Sequence, residues 1–467
     1  MAATRQGRSA TDTADWSPAR LIPTAGIRGQ DEQERRATSS LLAVMGAVPE
    51  FGHALLKELG APKSTVIETF AEVRFKDADG KTVIPDGAIV CRRGQKEWTC
   101  LVEVKTAGAP LKPEQVNSYL GVARENGFDG VLTISNQITA RADVAAVSVD
   151  KRKLKRASLW HFSWWRVVTE AIVQHRFRGI SDPDQAWILG ELIAYLDSEA
   201  AGAGGFSDMG DSWVRVRKAA HDGTLRANDA DAAGVAERWE EFTQYLCLGL
   251  SQDLGAAVIS PRPRRQEPAA RLDDLVKELA ERGSLTAWVR IPDAVGDMFI
   301  RADLRARRTL TSVTIEAPGE GRAKARINWL LRQLADAPAD LQIEAAFPNA
   351  RQTTSDLLAD VREDPEKLLY PSDPKRGPKS FTITLGRSMG QKRGKAEGSF
   401  VRDTRAQTFD FYRDIVQRLK AWQPRAPKLR GQEVEVEQPP SPDPPPFGAP
   451  DARDAGDAAD PLAPASA

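Results

Sequence analysis

The sequence predicts an α/β fold for its first third, followed by a helical stretch and a separate α+β region. Three observations carry this. Residues 28–170 alternate helix-patterned and strand-patterned runs in the order helix, three strands, helix, strand. Residues 171–255 keep only the helical period, and residues 271–425 return to strand-like runs that close on an amphipathic helix. At 467 residues, two or three domains are expected.

The elements follow in order. Residues 31–59 read as an amphipathic helix broken near Pro49. A strand is expected over 66–75, a second over 82–91 and a third over 98–106, each rich in β-branched and aromatic residues. A helix is expected over 112–125, opened by Pro113 and stopped by Gly127, and 130–135 returns as a strand. Lys151-Arg152-Lys153-Leu154-Lys155-Arg156 precedes Trp160, Trp164 and Trp165. By composition this is the best nucleic-acid contact, since cations neutralise phosphates and aromatic rings stack on bases. The tryptophans themselves read as packed inside a terminal strand. Ser181-Asp182-Pro183 opens a helix with a stripe of Trp187, Leu192, Tyr195 and Leu196, and a second helix covers 231–250. This helical subdomain would brace the first domain or wall its cleft.

Residues 256–270 form a basic, proline-rich linker. Beyond it, 284–292, 298–304, 310–316, 341–347 and 380–385 read as strands, and 322–335 and 408–422 as helices. Gly319-Glu320-Gly321 is read as a turn, because the third glycine and lysine of a phosphate loop are missing. Arg305, Arg307 and Arg308, with Lys392, Arg393 and Lys395, either mark a binding face on this recognition or interaction domain or, taken singly, are solvated loop charge. Residues 1–27 and 431–467 are expected to be flexible, the latter a disordered tail rich in proline and acidic residues. The 65 basic and 65 acidic residues cancel overall. Gly431 onward holds eight acidic residues and one arginine, a net of −7, which leaves +7 on the preceding 430 residues. A modestly basic body suits a polyanionic partner without requiring one.

Three cysteines, Cys91, Cys100 and Cys247, make no disulfide framework, and with His53, His161, His175 and His221 they give no zinc spacing. No apolar run approaches a membrane span, and a cytoplasmic setting is expected.

The chemistry concentrates at Pro85-Asp86 and Glu103-Val104-Lys105. Gly94 and Gln95 suit a two-residue type II′ hairpin turn. Arg93 would then face Lys96, and counting outward brings Asp86 opposite Glu103, with Cβ atoms about 5 Å apart. Lys105, two residues on, shares that face, while Val102 and Val104 point into the core. Two carboxylates hold a hard divalent cation, and the ammonium manages an attacking water.

Pro85-Asp86, Glu103-x-Lys105 and the downstream Gln115-x-x-x-Tyr119 resemble the PD-(D/E)XK nuclease superfamily, the last pair its RecB-type branch. The resemblance covers about residues 28–170. It implies a restriction-endonuclease-like mixed sheet with an α-β-β-β-α-β core. It implies that Asp86 and Glu103 ligate Mg²⁺, with Mn²⁺ as a substitute, together with the Val104 carbonyl. It makes Lys105 the catalytic lysine, Gln115 a support for the lysine or the substrate phosphate, and Tyr119 part of the site's edge. Family members add an acidic residue from the first helix, for which Glu34 is the candidate and Glu32 the alternative. The expected function is a Mg²⁺-dependent deoxyribonuclease, an endonuclease, with DNA as partner and RNA not excluded. The alternative is a catalytically inactive nuclease-fold binding or scaffold protein. A protein partner would dock through the C-terminal domain or the acidic tail.

Overall fold

The computed structural model describes residues 21–22 and 29–424, apart from 64–65, 78–79, 140, 262–267, 393 and 395. The expectations for the two termini, for the arginines of the proline-rich linker and for Arg393 and Lys395 therefore lie outside the described residues. The described residues up to Gln423 belong to one compact unit.

The chain enters through α1 (Gln30–Ala47) and α2 (Pro49–Leu56). Their axes bend by 108° at Val48 (φ −121, ψ 83), which precedes Pro49 and is kept out of the helical region. Next come β1 (Ile67–Ala71), β2 (Phe75–Lys76), β3 (Thr82–Val83), β4 (Gly87–Arg93) and β5 (Lys96–Val104). Two expected strands are shorter than the sequence suggested. The one over 66–75 stops at Ala71 because Glu72 turns left-handed (φ 52). The one over 82–91 splits, because Pro85 has no N–H for a ladder; its first part pairs with β2 as a separate ribbon. The split leaves Asp86 at the threshold of β4.

The β4–β5 hairpin has the expected register. Arg93 faces Lys96, and the pairing runs out to Gly87 opposite Val102, with Gly94 at φ 61 in the turn. One step further sets Asp86 against Glu103. The chain then forms α3 (Pro113–Asn126), closed by left-handed Gly127, β6 (Gly130–Ser135), β7 (Ser158–Ser163) and α4 (Trp164–Val173). The five strands line up as β1-β4-β5-β6-β7. β1, β4 and β5 are antiparallel neighbours, while β6 and β7 add parallel to β5. This is a mixed sheet. One face packs on α1, α2 and α4 through Val102, Val104, Leu41 and Trp164, and the other on α3 through Leu101, Val116 and Leu120. Trp164 is fully buried and Trp160 half-buried, as packing rather than base stacking requires.

The helical stretch divides its loyalties. α5 (Pro183–Asp197), started by the Asp182 side chain accepting the Asp184 and Gln185 N–H groups, packs Leu189, Leu192, Tyr195 and Leu196 against the first sheet. Trp187, expected in that stripe, is 56% exposed. α6 (Trp213–His221) and α7 (Ala230–Leu254) instead send Trp213, Trp239 and Phe242 into the core under a second sheet. An unexpected helix, α8 (Pro268–Arg282), adds Leu275 and Leu279 to that core.

The second sheet is antiparallel. It comprises β8 (Ser284–Val289), β9 (Met298–Asp303), β10 (Arg308–Glu316), then, after α9 (Ala323–Gln333), β11 (Gln342–Ala346), β12 (Thr354–Leu357), α10 (Leu358–Glu363) and β13 (Ser380–Ser388), in the order β12-β11-β13-β10-β9-β8. The closing helix, α11 (Phe400–Asp414), begins well before the expected position 408, because the Ser399 hydroxyl caps it at the Arg402 N–H. Among the described residues, no single helix is long and apolar enough to cross a membrane.

Candidate active site

The end of β5 and the entry to β4 bring Asp86, Glu103 and Lys105 together, and α1 adds a fourth charged group. Asp86 Oδ2 accepts the Val104 N–H at 2.7 Å, which clamps the two strand ends side by side. Glu103 is fully buried on the α3 side of the sheet, and its Oε1 lies 2.7 Å from Lys105 Nζ. Lys105 Nζ also donates to the Val104 carbonyl at 2.9 Å and to Glu34 Oε2 at 3.2 Å. Glu34 is thus the α1 acid that reaches the site. Glu32 turns away and pairs with Arg36.

Both Glu103 oxygens are buried and neither makes a well-aligned hydrogen bond among the described residues; Oε1 has the Lys105 ammonium as its ion-pair partner, and the Tyr119 hydroxyl stabilises the carboxylate from below. A carboxylate oxygen in that position costs several kcal/mol unless a cation or a proton meets it. The electrostatics agree. Burial pushes the Glu103 carboxyl up and the Asp86 charge pushes it further, while Lys105 and Tyr119 pull it back, leaving it at about 7. Burial alone would lower the Lys105 ammonium. The Glu103, Asp86 and Glu34 charges outweigh that, and it ends above its ordinary value.

Gln115 and Tyr119 lie side by side on α3 and act through the residue before Pro85. Gln115 Nε2 donates to the Tyr119 hydroxyl at 2.8 Å, and that hydroxyl donates to the Ile84 carbonyl at 3.1 Å. Tyr119 is 2% exposed and lies beneath the site, where it also stabilises the Glu103 carboxylate. The pair ties α3 to the residue before Pro85 and fixes where Asp86 emerges. Among the described residues, Gln115 makes no hydrogen bond to Lys105.

Several positioning groups had no local signal in the sequence. The Trp164 indole N–H donates to the Lys105 carbonyl at 2.9 Å across 59 residues of chain. Gln30 Nε2 donates to the Thr106 carbonyl at 3.1 Å, and the Thr106 hydroxyl donates to Gln33 Oε1 at 3.0 Å. Gln33 Nε2 in turn donates to the Ala200 carbonyl, and Ala107 N–H to the Gly202 carbonyl, so the turn after α5 grips the segment following Lys105. Glutamines one turn apart beside Glu34 were the only hint available. Replacing Trp164 by Phe keeps most of the ring but strands the Lys105 carbonyl; a loss of about 1–3 kcal/mol is expected, read by urea unfolding.

A cleft of about 600 Å³ opens at Asp86, lined by Arg35, Thr38, Glu72, Arg74 and Pro85. Glu72 and Ala107, on either side of the site, are left-handed non-glycine residues (φ 52 and 51). Such backbone strain costs on the order of 1–3 kcal/mol and gathers at functional sites. Arg35 is paired with Glu72 at 3.5 Å, and with Arg74 it puts two guanidinium groups, of the kind that binds phosphate, at the cleft mouth.

All donor atoms here are oxygens, which suits a hard cation such as Mg²⁺. Among the described residues no group of three or more His, Cys, Asp or Glu side chains is set to hold a metal ion. The set at this site is Asp86, Glu103 and the Val104 carbonyl, with Glu34 engaged by Lys105. His161 is no rival ligand: it is buried, bonded at Nδ1 to the Thr133 hydroxyl and at Nε2 to the Gln137 carbonyl, and burial lowers it to about 4. The three cysteines are buried, and among the described residues each is free of disulfide bonding. Comparison with family models, with curated proteins and with solved structures returns no match.

Proposed function

We propose that this chain is a metal-dependent nuclease that hydrolyses DNA phosphodiester bonds, with a restriction-endonuclease-like core in residues 28–170. The observation that carries the proposal is the fully buried Glu103 carboxylate, whose Oε1 meets Lys105 Nζ within reach of the Asp86 charge and whose Oε2 has no hydrogen-bond partner among the described residues. The strand order β1-β4-β5-β6-β7, with α3 between β5 and β6, supports the fold reading.

Asp86, Glu103 and the Val104 carbonyl would hold Mg²⁺. When bound, the ion supplies Lewis-acid polarisation of a phosphate oxygen and lowers the pKa of a coordinated water. The chain's own groups do the rest. Lys105 Nζ, released from one of its three partners, orients the attacking water and offsets charge developing on the phosphorus oxygens. Glu34 keeps Lys105 aimed at the junction of the two strands. Arg35 and Arg74 hold the flanking phosphates in the cleft.

One observation favours the inactive-scaffold reading: the three protons of Lys105 Nζ match three protein acceptors, Glu34, Glu103 and the Val104 carbonyl. The two readings part on one experiment. The full chain is incubated with linear, circular and single-stranded DNA and with RNA, in Mg²⁺, Mn²⁺ or EDTA, beside Asp86→Ala and Lys105→Ala. Cation-dependent cleavage of DNA by the parent and not by the variants is the expected result. Absence of cleavage under every condition overturns the proposal in favour of the scaffold, and cleavage of RNA alone reassigns the substrate.

A further inference from the structure

Two basic clusters that lie some 80 residues apart in sequence meet at one end of the second sheet. The turn joining β9 to β10 carries Arg305 and Arg307, and Arg308 opens β10. The Met389 N–H donates to the Arg307 carbonyl at 2.8 Å, and the segment leaving β13 then presents Lys392. The C-terminal end of α6 closes the third side. Arg217 Nη1 donates to the Gln391 carbonyl at 2.8 Å, and His221 Nδ1 lies 2.9 Å from the Arg305 carbonyl. Lys218 projects from the same helix end, exposed like Arg305, Arg307, Arg308 and Lys392.

None of these six cations forms an ion pair with a described residue. Arg217, Arg305 and Arg308 donate only to backbone carbonyls, of Gln391, Glu281 and Gly386. Their neighbours behave otherwise: Arg215, two residues from Arg217, pairs with Asp229 and Asp231, and Arg301 pairs with Asp303. Burial and the Arg307 charge hold Arg217 below its ordinary value, so the like charges are close enough to feel one another. The α6 dipole favours cations at its C-terminal end, which accounts for Lys218 and His221 but not for the loop arginines. Clustered cations without carboxylate partners repel, and a polyanion that releases counterions relieves that repulsion.

We infer that Arg217, Lys218, Arg305, Arg307, Arg308 and Lys392 form a surface that binds the phosphate backbone of nucleic acid, built on the second sheet and distinct in its residues from the proposed cleavage site. It gives the C-terminal region a recognition role: cations that meet phosphates position a substrate and carry no sequence information.

The test is fluorescence anisotropy of a labelled 30-base-pair duplex with the full chain in EDTA, over a range of salt. Arg305→Glu, Arg307→Glu and Lys392→Glu are combined and compared with a charge-matched control, Lys63→Glu, Lys96→Glu and Lys375→Glu, at exposed positions elsewhere. The patch variant is expected to bind at least tenfold more weakly, with a salt slope smaller by about three. The control should stay within about twofold of the parent. If the reversal does not fold, Arg305→Ala with Lys392→Ala takes its place, with a loss of about threefold or more expected. Equal loss in patch and control variants overturns the inference, as does equal binding by all. So does a parent that floats with phosphatidylserine vesicles yet does not bind duplex, which would assign the surface to membranes. EDTA removes cleavage from the readout, so patch-dependent binding by a chain that never cleaves would sink the nuclease proposal and leave this surface standing.

Discussion

Lys105→Ala is expected to lower DNA cleavage by about 100- to 1000-fold, the range typical for loss of one preorganised electrostatic group. It should also weaken the fold. Glu103 is fully buried and its Oε1 has Lys105 Nζ as its ion-pair partner, while Glu34 shares the same ammonium. Removing one partner of a buried pair costs about 3–5 kcal/mol, because the remaining charge is left uncompensated. The two effects separate in a double variant. Adding Glu34→Gln removes one of the stranded carboxylates, so stability should recover in part while cleavage does not. Thermal melts with and without Mg²⁺ give a further check. A cation drawn to the bared carboxylates should raise the Tm of Lys105→Ala more than that of the parent. If Lys105→Ala cleaves like the parent, the lysine has no catalytic part.

The second large effect is a pH dependence of the metal-free protein. The Glu103 carboxyl stands at about 7 in the folded chain, raised first by burial and then by the Asp86 charge; in the unfolded chain it returns to about 4.3. A group raised on folding contributes stability that is fully present below its unfolded pKa and lost as pH rises through its folded pKa. The window is therefore about pH 4.5 to 7.5, and the contribution on the order of 3 kcal/mol. His161, lowered to about 4, runs the other way and gains stability for the fold as pH rises towards 6.5. The informative quantity is the difference between parent and Glu103→Gln in EDTA. The parent should lose stability relative to the variant as pH rises from 5 to 8, and Mg²⁺ should abolish that relative loss. A constant difference across the range would mean that Glu103 is charged in the fold from the start.

The part of the site written in local sequence was the hairpin. Gly94-Gln95 set the turn, the two-residue period set the faces, and the Asp86–Glu103 juxtaposition followed from counting. What resisted reading was held by long-range contacts. Nothing near Lys105 announces that the Trp164 indole will bond its carbonyl, because the two residues are 59 positions apart and meet only through the packing of β7 and α4. Gln115 and Tyr119 were found at the right place on α3, but their partner, the Ile84 carbonyl, depends on how Pro85 splits the strand. In the C-terminal region the strand period was clear enough to place β8, β9, β10, β11 and β13. Helix α8 was hidden beside the proline-rich linker, and β12 was too short and polar to stand out. The helical stretch read as one subdomain because its period is uniform; which sheet each helix serves depends on side chains such as Tyr195 and Trp239 finding different cores.

The grip of the turn after α5 on Gln33 and Ala107 limits how the gene can be trimmed. A fragment ending at residue 170 would carry every charged group of the pocket yet lose the Ala200 and Gly202 carbonyls that anchor its rim, so the shortest piece worth expressing runs past residue 202.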